Sequence, residues 1–129
     1  MSAALDIDRW VSADVAELKD IRKLVDSLAA EHGLPPRTRY RVKLALHEAL
    51  TNAIVHGCST RSQRVHVHIH VDEYGVTFEV ADPGRFKNGA VSTERPEHGR
   101  GLSLIFGLMD DVDVQAGDEG TTIRAAARL

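Results

Sequence analysis

The sequence predicts an α/β protein of the α+β type, a two-layer sandwich with helices on one face of a mostly antiparallel sheet. Two stretches carry apolar residues at spacings of three and four, the period of an amphipathic helix. Two later stretches alternate apolar and polar residues on either side of a turn, so each reads as a hairpin with one face to bury. Strands apolar on one side only need a cover on that side, and the helices supply it.

Taken in order, Leu5 and Ile7 alternate with Asp6 and Asp8 and give a weak strand signal. From Ala13 to about Glu31, Val15, Leu18, Ile21, Val25 and Leu28 form a helical stripe, with Asp14 favouring the N-terminal dipole end and Gly33 ending the helix. Pro35-Pro36 break the chain before a second helix from about Arg37 to Val55. Its stripe is Val42, Leu46, Ala49, Leu50 and Ala53, with Gly57 as the expected C-cap. Val65, Val67, Ile69 and Val71 alternate with His66, His68 and His70, then Val76, Phe78 and Val80 follow a turn at Glu73-Tyr74-Gly75. Pro83 to Gly99 is rich in glycine and proline and reads as a loop, long enough in so small a domain to suggest a lid. A short helix from Leu102 to Met109 precedes the second hairpin, Val112 to Ala116 and Thr121 to Leu129, which turns at Gly117-Asp118-Glu119-Gly120.

At 129 residues the chain is expected to form one domain, residues 1–129. Its 43% hydrophobic and 27% charged residues exclude disordered and disulfide-scaffold classes. Sixteen basic against nineteen acidic side chains leave a formal charge of −3, interspersed along the chain, so neither nucleic acid nor an anionic membrane is expected as a partner. Cys58 is the single cysteine, the N-terminal residues carry carboxylates where a signal peptide needs basic residues, and no apolar run is long enough to span a bilayer. A cytoplasmic location is expected.

Several polar residues stand where polar residues are costly. Glu48 and Asn52 are four apart on the second helix, beside its core stripe. They are either a half-buried polar pair or a carboxylate that takes a hydroxyl proton beside an amide oxygen that coordinates Mg²⁺. Asp82 shares the strand parity of Val76, Phe78 and Val80, so it points to the helix-covered face and needs donors there. It is either a strand-end turn residue or an acceptor for the exocyclic amine of a base, with Gly84 opening the backbone to a ligand. Thr121 has the same parity as Ile123 and Ala125. Gly99-Arg100-Gly101-Leu102 precedes the short helix, where free N–H groups and the dipole suit phosphate. A helix start with two turn glycines is the plainer alternative.

In order, the runs Glu48-Ala49-Leu50-Thr51-Asn52-Ala53-Ile54-Val55-His56-Gly57, Asp82-Pro83-Gly84, Gly99-Arg100-Gly101-Leu102 and Gly120-Thr121-Thr122 resemble the N-box and glycine boxes of the GHKL (Bergerat-fold) ATP-binding superfamily. Length, the compact lid at about 83–99 and the run Leu108-Met109-Asp110-Asp111-Val112 are most similar to the anti-sigma factor serine-protein kinases of bacterial partner switching. The resemblance implies a Bergerat-type fold, ATP and Mg²⁺ as cofactors, a sigma factor and a STAS-domain anti-anti-sigma factor as partners, and a homodimer. It implies Glu48 as general base and Asn52 as the Mg²⁺ ligand. Asp82 becomes the adenine-amine acceptor, with Gly84 and Thr121 beside it. Gly99, Arg100, Gly101 and Leu102 become the phosphate-facing end of the lid, and Arg22 a partner contact. One position departs from the family's usual Asp-x-Gly-x-Gly: Phe86 stands where the second glycine is expected. A nucleotide-binding module with little kinase activity, working by protein binding, is the alternative that Phe86 favours. The detached ATP domain of a histidine kinase fits less well, for want of a phosphoacceptor helix pair.

His66, His68 and His70 lie at every second position on the polar sheet face. They read as a solvated or dimer-covered face that gains charge as the imidazoles titrate, or as a transition-metal site.

Overall fold

Among the described residues eight elements follow one another: β1 (Leu5–Ser12), α1 (Glu17–His32), α2 (Pro36–Val55), β2 (Arg64–Asp72), β3 (Gly75–Asp82), α3 (Pro96–Leu108), β4 (Asp111–Gly117) and β5 (Gly120–Arg128). The computed structural model describes residues 4–84 and 96–129, with the backbone alone for 96–101. Most of the expected lid, Phe86 included, lies outside the described residues. The strands form one antiparallel sheet in the order β1-β2-β3-β5-β4, with all three helices packed as the second layer, as expected for a two-layer sandwich.

The core follows from the two periods. Val65, Val67, Ile69 and Val71 of β2, Val76, Phe78 and Val80 of β3, and Ile123, Ala125 and Ala127 of β5 are all buried on the helix side. Opposite them lie Val42, Ala45, Leu46, Ala49, Leu50 and Ala53 of α2, the helix that touches both other helices and three strands. Thr38 at the start of α2 is buried as well.

Four boundaries differ from expectation, each for a local reason. Helix α1 begins at Glu17 rather than Ala13, because Asp14 forms a turn of its own: its Oδ1 accepts the Ala16 N–H at 2.9 Å and its carbonyl the Glu17 N–H at 3.0 Å. Val15 is left outside the helix and exposed. Pro36 does not break the chain but opens α2, where a missing N–H costs nothing. Gly33 closes α1 in the left-handed conformation, φ 64°, as expected. Gly57 does not do the same for α2: His56 is the C-cap, in right-handed geometry.

Helix α3 differs most, starting at Pro96 and not at Leu102. Leu102, Ile105 and Met109, at spacings of three and four, are buried against the core. Its C-terminal end is tied to α2. Arg41 Nε donates to the Leu108 carbonyl at 2.6 Å while its Nη2 meets Asp110 at 3.2 Å, and Asp110 in turn accepts the Arg128 N–H. That bond and ion pair hold Asp110 well below the usual carboxylate range, the Arg128 N–H being the largest cause.

Candidate nucleotide site

Asp82 is the last residue of β3 and pairs in register with Thr121 of β5, so its carboxyl faces the helical layer as strand parity requires. Three glycines make room for it. A Cβ on Gly57 would run into the Asp82 carboxyl, one on Gly84 into the Gly57 carbonyl, and one on Gly120 into the Asp82 carbonyl. Gly120 also has φ 137°, which only glycine adopts at low cost. Gly57 is therefore needed for close approach and not for a helix cap, a use that no local sequence pattern announces.

The carboxyl is half-buried and its donors are few. Oδ1 accepts the Gly84 N–H at 2.8 Å, and the Thr121 N–H also donates to the carboxyl. Thr121, itself buried, donates its hydroxyl to the Gly84 carbonyl at 3.4 Å and so links β5 to the start of the loop. Burial outweighs both N–H groups and pushes Asp82 up to about 6. The same pocket raises Cys58, by burial first and by the Asp82 charge second.

Glu48 and Asn52 are half-buried on α2, beside the buried positions Ala45, Ala49 and Ala53. Neither side chain is given a hydrogen-bond partner by the described residues. The Asn52 carbonyl accepts the N–H groups of His56 and Gly57, which seats Gly57 against Asp82. Nine residues of helical rise put Glu48 roughly 14 Å from Gly57 along the axis, with Asn52 between them. The C-terminal half of one helix thus leads from the Asp82 carboxyl back to a carboxylate that no side chain of the described residues engages. Arg22 on α1 reaches the same stretch of α2: its Nη1 is 3.1 Å from Nδ1 of His47, the chain neighbour of Glu48.

The expected start of the helix behind the phosphate-facing segment needs correction. Gly99, Arg100 and Gly101 lie within α3 rather than ahead of it, and the Leu102 side chain is in the core, 3% exposed. From residue 100 onward the helix's own ladder takes the backbone N–H groups, so the free donors belong to the turn that opens at Pro96. The sequence pattern misleads here because two glycines suggest a turn, whereas the buried Leu102 and Ile105 outweigh the roughly 1 kcal/mol that each helical glycine costs.

The three histidines lie on the uncovered sheet face and are engaged by aspartates. His66 meets Asp8 at 2.9 Å, His68 meets Asp6 at 2.9 Å, and His70 bridges Asp6 at 2.8 Å and Asp72 at 3.0 Å. Among the described residues no group of three or more His, Cys, Asp or Glu side chains is placed to hold a metal.

Residues 11–127 match the model of the family described as the histidine kinase-like ATPase domain. The chain belongs to this family. Its GHKL resemblance is thereby established over nearly the whole length. Among curated relatives, the anti-sigma F factor of Bacillus subtilis (strain 168) is 29% identical over 68% of this chain and 68% of its own, and that of Bacillus velezensis is equally similar. The structure of the RsbU and RsbW domains of Rv1364c from Mycobacterium tuberculosis superimposes with a TM-score of 0.75 at 21% identity, covering 99% of this chain and 33% of that longer one. The histidine kinase domain from the Erythrobacter litoralis EL346 blue-light activated histidine kinase gives 0.58 at 20% identity, covering 92% of this chain and 61% of that one. Both show that the ATPase-domain fold is shared. No helix among the described residues is long and apolar enough to cross a membrane.

Proposed function

We propose that this ATPase-type domain is an ATP-dependent serine-protein kinase and anti-sigma factor that phosphorylates a STAS-domain anti-anti-sigma protein and otherwise sequesters a sigma factor. The observation that carries the reading is the C-terminal half of α2, with Gly57 just past its end against Asp82, and Asn52 and Glu48 one turn apart and engaged by no side chain among the described residues. Likeness to the anti-sigma F factors supports the partners. ATP fits the Asp82 corner because a half-buried carboxyl whose donors among the described residues are two backbone N–H groups has acceptor capacity left for an exocyclic amine.

In this reading Asp82 accepts the adenine amine, Thr121 and Gly84 hold Asp82, and Asn52 is the side chain that would hold Mg²⁺, a hard cation suited to an amide oxygen. When bound, Mg-ATP supplies the transferable phosphoryl group and the charge that neutralises it. Glu48 accepts the serine hydroxyl proton as the serine oxygen bonds to phosphorus and the bond to the ADP leaving oxygen breaks. The opening turn of α3, with Gly99 at its edge, offers N–H groups to phosphate, while Arg100, Gly101 and Leu102 continue the helix whose dipole favours the anion there. Arg22 meets the protein partner. Residues 1–129 act as one domain in the cytoplasm. The open sheet face, where Trp10 is 66% exposed, is where we place a second copy in a homodimer.

Incubation with γ-labelled ATP, Mg²⁺ and STAS-domain proteins of the same organism tests the reading. Label on a serine of one of them is expected. Phe86 favours the rival, a nucleotide-binding module that works by protein binding alone; binding of ATP and a STAS-domain protein without transfer would establish that instead.

A further inference from the structure

Helix α3 is closed by a side chain from another helix. Gly99, Gly101 and Gly107 weaken it from within, its last turn carries no basic residue of its own, and Met109 and Asp110 follow it where α1 has the left-handed Gly33. Arg41 of α2 supplies the missing cap. Its Nε donates to the Leu108 carbonyl at 2.6 Å and its Nη2 meets Asp110 Oδ2 at 3.2 Å. The Arg41 side chain is 19% exposed, against 85% for Arg61 and 70% for Arg128 in their ion pairs, so this contact is shielded from water where those are not. The same Asp110 oxygen accepts the Arg128 N–H, and the Asp110 N–H donates to the Ala126 carbonyl at 2.8 Å, which fastens the clasp to β5.

Arg41 precedes Ala45, Glu48 and Asn52 by four, seven and eleven positions and so shares their face of α2. The face that grips α3 is the face that carries the proposed base and Mg²⁺ ligand. From the clasp α3 packs against α2, with Ile105 and Leu102 buried along the way. Arg41 to Asn52 rises roughly 16 Å along α2, and Leu108 back to Pro96 roughly 18 Å along α3, so helices packed along each other from this clasp bring the opening turn of α3 level with Asn52. We infer that Arg41 is a positioning residue for the phosphoryl end of the nucleotide: by holding Leu108 and Asp110 it sets the height of α3 along α2, and with it the place of the opening-turn N–H groups relative to Asn52 and Glu48. The adenine end does not depend on it, because Asp82 pairs with Thr121 at the start of β5 whereas the clasp is fastened at Ala126 and Arg128 near its end. That the opening turn faces phosphate rests on the nucleotide reading above; the clasp itself does not.

The test compares Mg-ATP binding, by calorimetry, with adenosine binding, by NMR titration at millimolar concentration. It uses the full chain in wild type, Arg41→Met, Asp110→Asn and the Arg41→Met/Asp110→Asn double variant, with melts to verify folding. Methionine keeps the length and helix propensity of arginine and removes every donor. Arg41→Met should weaken Mg-ATP binding roughly three- to tenfold, the scale of one lost hydrogen bond to a charged group, and leave adenosine binding unchanged. A merely structural role would lower the melting temperature and move neither affinity of the folded chain. Asp110→Asn should give a smaller loss of the same kind, and nothing further in the Arg41→Met background, because its effect runs through the guanidinium. Where Arg41→Met does not fold, Arg41→Lys serves: it keeps a cation for Asp110 but not the fork that serves both partners, and should show the same selective loss. In the unliganded chain, amides from Ile105 to Leu108 should exchange with solvent roughly three- to tenfold faster in Arg41→Met, with those of α1 unchanged. Equal losses for Mg-ATP and adenosine, no loss for either, additive losses in the double variant or unchanged exchange in α3 would each overturn the inference. A wild-type chain that binds neither ligand defeats the nucleotide reading and this use of the clasp with it, whereas a wild type that binds both, with variants that show no split, defeats the inference alone.

Discussion

Gly57 is small because the Asp82 carboxyl occupies the space a side chain would need. Gly57→Ala should therefore push Asp82 away, costing about 1–3 kcal/mol in a melt and weakening nucleotide binding at least tenfold by calorimetry. An alanine variant that binds like wild type would remove the close approach from the site's chemistry. Asp82 carries a pH signature as well. Its raised value, about 6, means the folded state binds the proton more tightly than the unfolded one. Stability of the unliganded chain should fall as pH rises from about 4 to about 6, while affinity for adenine nucleotide rises through about 6 as the stronger acceptor forms. Asp82→Asn should flatten both profiles and weaken binding by roughly one to a few kcal/mol. Comparing the two proteins cancels the titration of the phosphates. Parity along β3 made the direction of Asp82 legible from sequence. The three glycines around it were not, since a close approach between positions 57 and 82 leaves no local mark.

Strand β1 is an edge strand joined to β2 by its backbone ladder and by the His-Asp contacts on the open face. Its alternation in sequence was weak, and what holds it appears only in register: Asp6 lies opposite His70 and Asp8 opposite His68. The Asp6 carboxylate, then Asp72, holds His70 above the usual imidazole range, and His70 and His68 hold Asp6 below the carboxylate range. For a raised imidazole the stabilisation is complete at acidic pH and is lost as pH rises through the folded-state value. The melting temperature should thus decline from about pH 6 to about pH 8, and His70→Gln should remove most of that slope. An unchanged slope would mean the contact contributes nothing. Helix α2 was legible almost end to end because its stripe and its breakers agree. Helix α3 was not: Gly99 and Gly101 argue for a loop, and only the buried Leu102, Ile105 and Met109 decide otherwise. Leu46→Ala, at 0% exposure in the middle of α2, should cost about 2–5 kcal/mol, and a denaturant melt would measure it.

At the scale of the molecule, the described residues form five strands and three helices that leave one sheet face open among themselves and string the site along the C-terminal half of α2. The layer arrangement was legible because period-two strands with one apolar face admit few solutions. The site was legible in part. Glu48, Asn52, Asp82 and Thr121 stand where patterning put them, whereas Gly57 and the Arg22–His47 contact depend on distances between elements that no sequence spacing encodes. The account stands or falls on the C-terminal half of α2 carrying a base at Glu48 and leading to a nucleotide wall at Asp82, two functions that a single substitution can separate. Glu48→Gln keeps size and most hydrogen bonding but cannot take a proton, and melts of both proteins would verify that this core-bearing helix is intact. The decisive measurement is the rate of phosphoryl transfer from ATP to the STAS-domain protein in wild type and Glu48→Gln, beside calorimetry of Mg-ATP binding by each. Transfer slowed roughly 10²–10⁴-fold with nucleotide affinity nearly unchanged is the result this account predicts; equal rates in the two proteins would contradict it.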